Sequence, residues 1–211
     1  MPQSSNVTGN DELNAVALQA EFRFYAELND FLSPERRHRS FVHECARRAT
    51  VKHAIEALGV PHTEVEVVLV NGESVSFGRV IRARDRVSVY PQFETLDISP
   101  LLRVRPEPLR ITRFLADAHL GALARYLRML GFDTVCAGTM TDRAIVSAAA
   151  EERRIILTRD RDLLMHKTVS HGCYVRATNA QDQLVEIVSR LDLYRSAKPF
   201  SRCMECNGRL A

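Results

Sequence analysis

The chain has 211 residues, enough for one large domain or two small ones, and its 45% hydrophobic and 26% charged residues exclude a disordered, collagen-like or disulfide-scaffold protein. No stretch approaches the roughly 18–20 consecutive apolar residues of a membrane span, and residues 1–12 lack a signal peptide's charged-then-apolar layout, so a cytoplasmic protein without a membrane partner is expected. The net charge of +3 is uneven: residues 1–110 carry 14 basic and 15 acidic side chains, residues 111–211 carry 15 and 11, and 26 of the 29 basic residues are Arg, which suits phosphate contact.

Residues 1–15 are polar and aperiodic and are expected to form a loose tail. Apolar and polar residues then alternate from Leu18 to Phe24, the pattern of a strand with one buried face, and a second extended run follows over 39–45. Thr50 can cap a short helix carrying Val51, Ala54, Ile55 and Leu58 on one stripe, which Gly59 and Pro61 stop. Strands are predicted over 64–70 and 74–77 around an Asn71-Gly72 turn, and over 86–90. Two strands, a helix and further strands over 16–92 resemble the ubiquitin-like β-grasp fold. Carrier chemistry of the ubiquitin or sulfur-carrier kind needs a free Gly-Gly terminus, whereas this segment runs on through Pro91-Gln92-Phe93, so an accessory domain is the reading that remains.

Pro91, Pro100, Pro106 and Pro108 lie in or beside residues 93–110, which read as a linker. Each side of it has its own periodic apolar set, so a cut near Pro100 is expected to leave both halves folded. From Ile111 the pattern becomes strand, helix, strand: a buried strand to Ala116, a helix with Leu120, Leu123, Ala124, Leu127 and Leu130 on one stripe, and a strand over 134–137. A helix over 143–154, strands over 155–158 and 173–176 and a helix over 181–191 complete it. Such alternation predicts a parallel sheet in a three-layer α/β/α sandwich over 111–198.

Ligands of open parallel sheets bind at the edge where strands give way to helices. Asp117 follows the first strand of this half, Asp142 opens the helix after the second, and Asp160 and Asp162 follow the third. Asp142, Asp160 and Asp162 each have a simpler reading as helix caps or solvated turn residues. Three strand ends that each close on Asp nonetheless favour one acidic site, and carboxylates brought together repel unless a hard cation such as Mg2+ or Mn2+ sits among them.

The run Phe114-Leu115-Ala116-Asp117-Ala118-His119-Leu120-Gly121-Ala122-Leu123-Ala124-Arg125-Tyr126-Leu127-Arg128-Met129-Leu130-Gly131-Phe132-Asp133, then Thr141-Asp142, then Ile155-Ile156-Leu157-Thr158-Arg159-Asp160, resembles the PIN-like ribonuclease domain of the Mut-seven C-terminal family, whose members often carry a ubiquitin-like domain in front. The resemblance implies a divalent-metal-dependent ribonuclease with Asp117, Asp142 and Asp160 as catalytic metal ligands, Asp162 as a fourth catalytic carboxylate and RNA, such as a structured tRNA, as partner. Arg125, Arg128, Arg159 and Arg161 could hold RNA phosphates, against the plainer reading of surface or intramolecular salt bridges.

The tail Phe200-Ser201-Arg202-Cys203-Met204-Glu205-Cys206-Asn207-Gly208-Arg209-Leu210 matches the first half of the zinc ribbon found in many members, and Cys203 and Cys206 supply two of the four ligands a structural zinc needs. A different functional class stays open: an inactive RNA-binding or protein-interaction module on the same fold. A phosphoacceptor of the response-regulator kind is disfavoured, since it needs an adjacent acidic pair after the first strand and a Lys after a late one.

Overall fold

In the computed structural model residues 18–91 and 112–210 are described. The tail expected over 1–15 and the linker expected over 93–110 lie outside them. The first half is a five-stranded sheet in the order β2-β1-β5-β3-β4, formed by β1 (Leu18–Phe24), β2 (Phe41–Cys45), β3 (Val67–Val70), β4 (Glu73–Ser74) and β5 (Arg86–Tyr90). The central pair β1 and β5 is parallel and the other pairings are antiparallel, which is the β-grasp arrangement. Helix α1 (Val51–Ala57) buries Ala54 and Ile55 in the core that also holds Phe22, Phe24 and Val89, and the Thr50 hydroxyl accepts from the His53 amide at its start. Asn71 and Gly72 take positive φ values of 55° and 90°, as the tight β3–β4 turn requires.

Two departures from the sequence reading matter for the site. Residues Ala26–Phe31 form a 3₁₀ turn after β1 rather than a featureless connection. The strand expected over 64–70 begins only at Val67, because His62–Glu64 form another 3₁₀ turn, buried at all three positions.

The second half is a four-stranded, wholly parallel sheet in the order β7-β6-β8-β9: β6 (Arg113–Ala116), β7 (Asp133–Cys136), β8 (Ile155–Thr158) and β9 (Gly172–Tyr174). Helices α2 (Gly121–Met129) and α5 (Ala180–Arg190) cover one face through Leu123, Leu127, Ile187 and Val188; α3 (Asp142–Glu152) and α4 (Arg161–Met165) cover the other through Ile145, Val146, Leu163 and Leu164. Both faces being covered explains why β6 and β8 read as unbroken apolar runs.

The two halves meet at β9. Glu64, whose side chain is 0% exposed, accepts from the Tyr174 amide (2.7 Å) and from the Arg176 and Arg190 guanidinium groups (3.0 and 2.9 Å). A buried carboxylate is tolerable only when so fully partnered. His62 adds a bond from its ring to the Val169 carbonyl (2.7 Å), and the rings of Phe31 and Tyr174 meet edge to face at 5.3 Å. Gly172 lets α4 pack closely on β9, since a Cβ there would lie 2.5 Å from Leu164 Cδ2.

On the opposite flank the tail folds back over α2 and β7. Arg128, only 8% exposed, donates to the carbonyls of Thr134, Met204 and Glu205, and Asn207 accepts from the Thr134 amide while donating to Asp133. Gly131 (φ 92°) lets the tail approach: a Cβ there would lie 2.2 Å from the Lys198 carbonyl oxygen.

Candidate active site

The strand ends of the parallel sheet carry the acidic residues, and one hydroxyl ties two of them together. Thr158 closes β8 with its side chain fully buried; its Oγ1 donates to Asp117 Oδ2 (2.8 Å) and accepts from the Asp160 amide (3.0 Å). Asp117, at the end of β6, also accepts from the Ala118 amide through Oδ1 (2.6 Å). Asp160 caps α4, its Oδ1 accepting from the amides of Asp162 (2.8 Å) and Leu163 (3.4 Å). The hydroxyl thus links the Asp117 carboxylate to the Asp160 backbone at neighbouring strand ends, with Asp160 exposed and Asp117 half-buried.

Asp142 is the first residue of α3, exposed, while the capping bond comes from Thr141, whose hydroxyl accepts from the Ala144 amide. Asp162 is exposed in the first turn of α4. Among the described residues no three His, Cys, Asp or Glu side chains are grouped so that they could hold one ion together. The expected convergence of Asp117, Asp142 and Asp160 on one ion is therefore absent from this conformation, in which Asp117 and Asp160 spend oxygens on amide and hydroxyl donors. A divalent ion such as Mg2+ commonly takes only one or two carboxylates and completes its shell with water and substrate phosphate. Asp117 and Asp160, at neighbouring strand ends, are the residues that could supply those one or two carboxylates.

The four arginines expected near the site separate into two pairs. Arg159 turns toward β9 and donates to the carbonyls of Arg176 (3.0 Å) and Ala177; Arg161 lies over the rings of Phe31 and Tyr174, at 5.1 and 5.8 Å. Both flank Asp160. Arg125 and Arg128 correct the sequence reading. Helix α2 starts at the acidic edge and carries them away from it, about 1.5 Å per residue, so Arg128 ends among tail carbonyls and Arg125 pairs with Glu205. Both are thus engaged by the tail rather than by the acidic edge. Thr158 is what sequence reading missed: a polar residue closing a buried strand two positions before an Asp was the available signal.

In the tail, the amides of Cys206 and Glu205 point at Cys203 Sγ and hold its thiol below the ordinary cysteine pKa. Among the described residues no third His, Cys, Asp or Glu is grouped with Cys203 and Cys206 so that they could hold a metal ion.

A β-grasp unit followed by a covered parallel sheet with an acidic strand edge defines a two-domain α/β protein of nuclease-like build. Residues 17–97 match the family model described as Mut7-C ubiquitin and residues 112–211 the one described as Mut7-C RNAse domain, so the chain is a Mut7-C ubiquitin-like domain followed by a Mut7-C RNAse domain. Two crystal structures of small archaeal modifier protein 1 from Haloferax volcanii are similar to the front half. They are 24% and 23% identical, cover 36% and 37% of this chain and 98% and 99% of their own, and give TM-scores of 0.29 and 0.30. The comparison with curated proteins gave no match.

Proposed function

We propose that the chain is a divalent-metal-dependent ribonuclease whose catalytic centre is the Asp117–Thr158–Asp160 constellation. That constellation, at the ligand-binding edge of a parallel sheet in a Mut7-C RNAse domain, is the observation that carries the reading. Asp117 and Asp160 would hold Mg2+ or Mn2+, with Asp162, two positions after Asp160, and Asp142, at the start of α3, as further carboxylates. When bound, the ion supplies Lewis-acid polarisation of the phosphodiester and lowers the pKa of the attacking water. Thr158 keeps Asp117 oriented, and its bond to the Asp160 amide keeps the two strand ends in register. Arg159 and Arg161 put positive charge beside the pair, where phosphate oxygens would lie. Among the described residues no disulfide joins any of the five cysteines, which suits work in the reducing cytoplasm. Among the described residues no helix is long and apolar enough to cross a membrane.

The competing reading is an RNA- or protein-binding module without turnover, and the absence of a three-carboxylate group among the described residues is the observation in its favour. Incubating the full chain with end-labelled single-stranded and tRNA-like RNA in Mg2+, Mn2+ or EDTA separates the two. Metal-dependent cleavage, abolished by EDTA, is the expected result; RNA bound but intact under every condition would leave the binding module.

A further inference from the structure

We propose, building on the ribonuclease reading, that the junction of the two domains beside the acidic edge binds the RNA backbone, with one phosphate held between Arg37 of the ubiquitin-like domain and Arg161 of the RNase domain. The 3₁₀ turn Ala26–Phe31 and its exit present successive carbonyls at this junction. Arg37 donates to Leu32 O through Nε (2.9 Å) and reaches Asp30 O through Nη2 (3.5 Å), while Arg161 Nη1 reaches the intervening Phe31 O (3.4 Å). Two guanidinium groups from different domains therefore stand on three consecutive carbonyls.

Their contacts leave donors free. A guanidinium has five N–H groups, and bonds of 3.4–3.5 Å are long and weak. Stacking of Arg161 on Phe31 and Tyr174 occupies the face of its plane rather than its edge. Two acids of the junction are already committed: Asp30 faces Arg176 Nε at 3.4 Å, and Glu64 is buried between Arg176 and Arg190. Arg37 and Arg161 are both exposed, and neither forms an ion pair among the described residues. Arg161 immediately follows Asp160, so a strand whose scissile phosphate meets the acidic pair has its neighbouring backbone at this junction. Phe31 acts as a positioning residue from the front domain, and the ubiquitin-like domain thereby becomes part of the substrate surface.

The test uses the full chain and a fluorescent single-stranded RNA, with binding read by anisotropy in EDTA across a salt series. Arg37→Ala should weaken binding several-fold and lower the slope of log affinity against log salt by about one. Arg84→Ala, whose residue lies beside the start of β1 at the other end of the sheet, should change neither. Arg37→Lys should keep the parental slope, which separates charge from support of the turn. Combined with Arg161→Ala, Arg37→Ala should cost less than the product of the single losses, since both groups serve one phosphate. If the parent binds and cleaves RNA but Arg37→Ala matches it in affinity and slope, the junction site is overturned and the ribonuclease reading stands. Equal losses from Arg37→Ala and Arg84→Ala, or from Arg37→Ala and Arg37→Lys, overturn it equally. A parent that binds no RNA overturns both.

Discussion

The two outer strands of the RNase sheet face the same problem, and the chain meets it differently on each side. An edge strand presents unpaired amides and carbonyls that invite another strand. On β9 the Tyr174 amide is taken by Glu64 and its carbonyl by Arg190 (3.0 Å); on β7 the Thr134 amide is taken by Asn207 (3.1 Å) and its carbonyl by Arg128 (2.8 Å). Behind each cap a carboxylate gathers arginines: Glu64 gathers Arg176 and Arg190, while Asp133 gathers Arg154 and Arg202. The difference is water. Glu64 is sealed in a domain interface, whereas Asp133 keeps 20% of its side chain exposed under a short tail. An ion cluster closed off from solvent cannot lose a member without stranding the others; one open to solvent can.

That contrast orders the expected effects. Glu64→Ala should be the most damaging, since it takes the buried carboxylate from Arg176 and Arg190 and leaves them only the longer pairs with Asp30 and Glu186, and a loss of about 3–5 kcal/mol in chemical denaturation is expected. For the same reason a chain cut within residues 93–110 should elute as one complex in gel filtration, its two halves folded and held together. Gly131→Ala should come next. Its left-handed backbone alone costs a side chain about 1–3 kcal/mol, and the added methyl must also push the Lys198 carbonyl away, so amide exchange should rise across the tail but not across β9.

Asp133→Asn should cost about 1–2 kcal/mol, because the amide keeps some hydrogen bonding while water serves the rest. Burial works against the Asp133 carboxylate, but Arg154, Asn207 and Arg202 more than offset it and hold its pKa below the usual value. A depressed folded pKa contributes stability that is present above the unfolded value and is lost as pH falls through the folded one. The tail should therefore loosen on acidification below about pH 4, and Asp133→Asn should flatten that acid limb. Smallest is Arg125→Ala, whose pair with Glu205 is 54% and 70% exposed and should be worth about 0–1 kcal/mol in the same denaturation series.

Much of this architecture was legible from local pattern. Strands β1, β5 and β8 fall where alternation or an unbroken apolar run placed them, and Thr50 and Gly131 punctuate their helices as expected. What was not legible depends on distant partners. Glu64 looked like the first residue of a strand, and only Arg176 and Arg190, 112 and 126 positions away, make it the hub of a turn. The 26–31 turn has no period to betray it, and its use as a platform depends on Arg161 from the other domain. At the site, Asp117 and Asp160 were visible as strand-end carboxylates, but their link through Thr158 needed β6 and β8 to be paired first. Arg125 and Arg128 were assigned by their spacing on α2 next to Asp117, which could not show that the tail would claim them.

The central claim is that Asp117 and Asp160 act as one metal-dependent centre. Its most direct test is the single-turnover cleavage rate of labelled RNA against Mn2+ concentration for the parent, Asp117→Asn and Asp160→Asn, with folding checked by thermal melting and RNA affinity measured in EDTA. Both variants should fold, bind RNA at least as tightly as the parent because a repulsive charge is gone, and lose cleavage at every metal concentration. Cleavage at the parental rate by either variant would contradict the account.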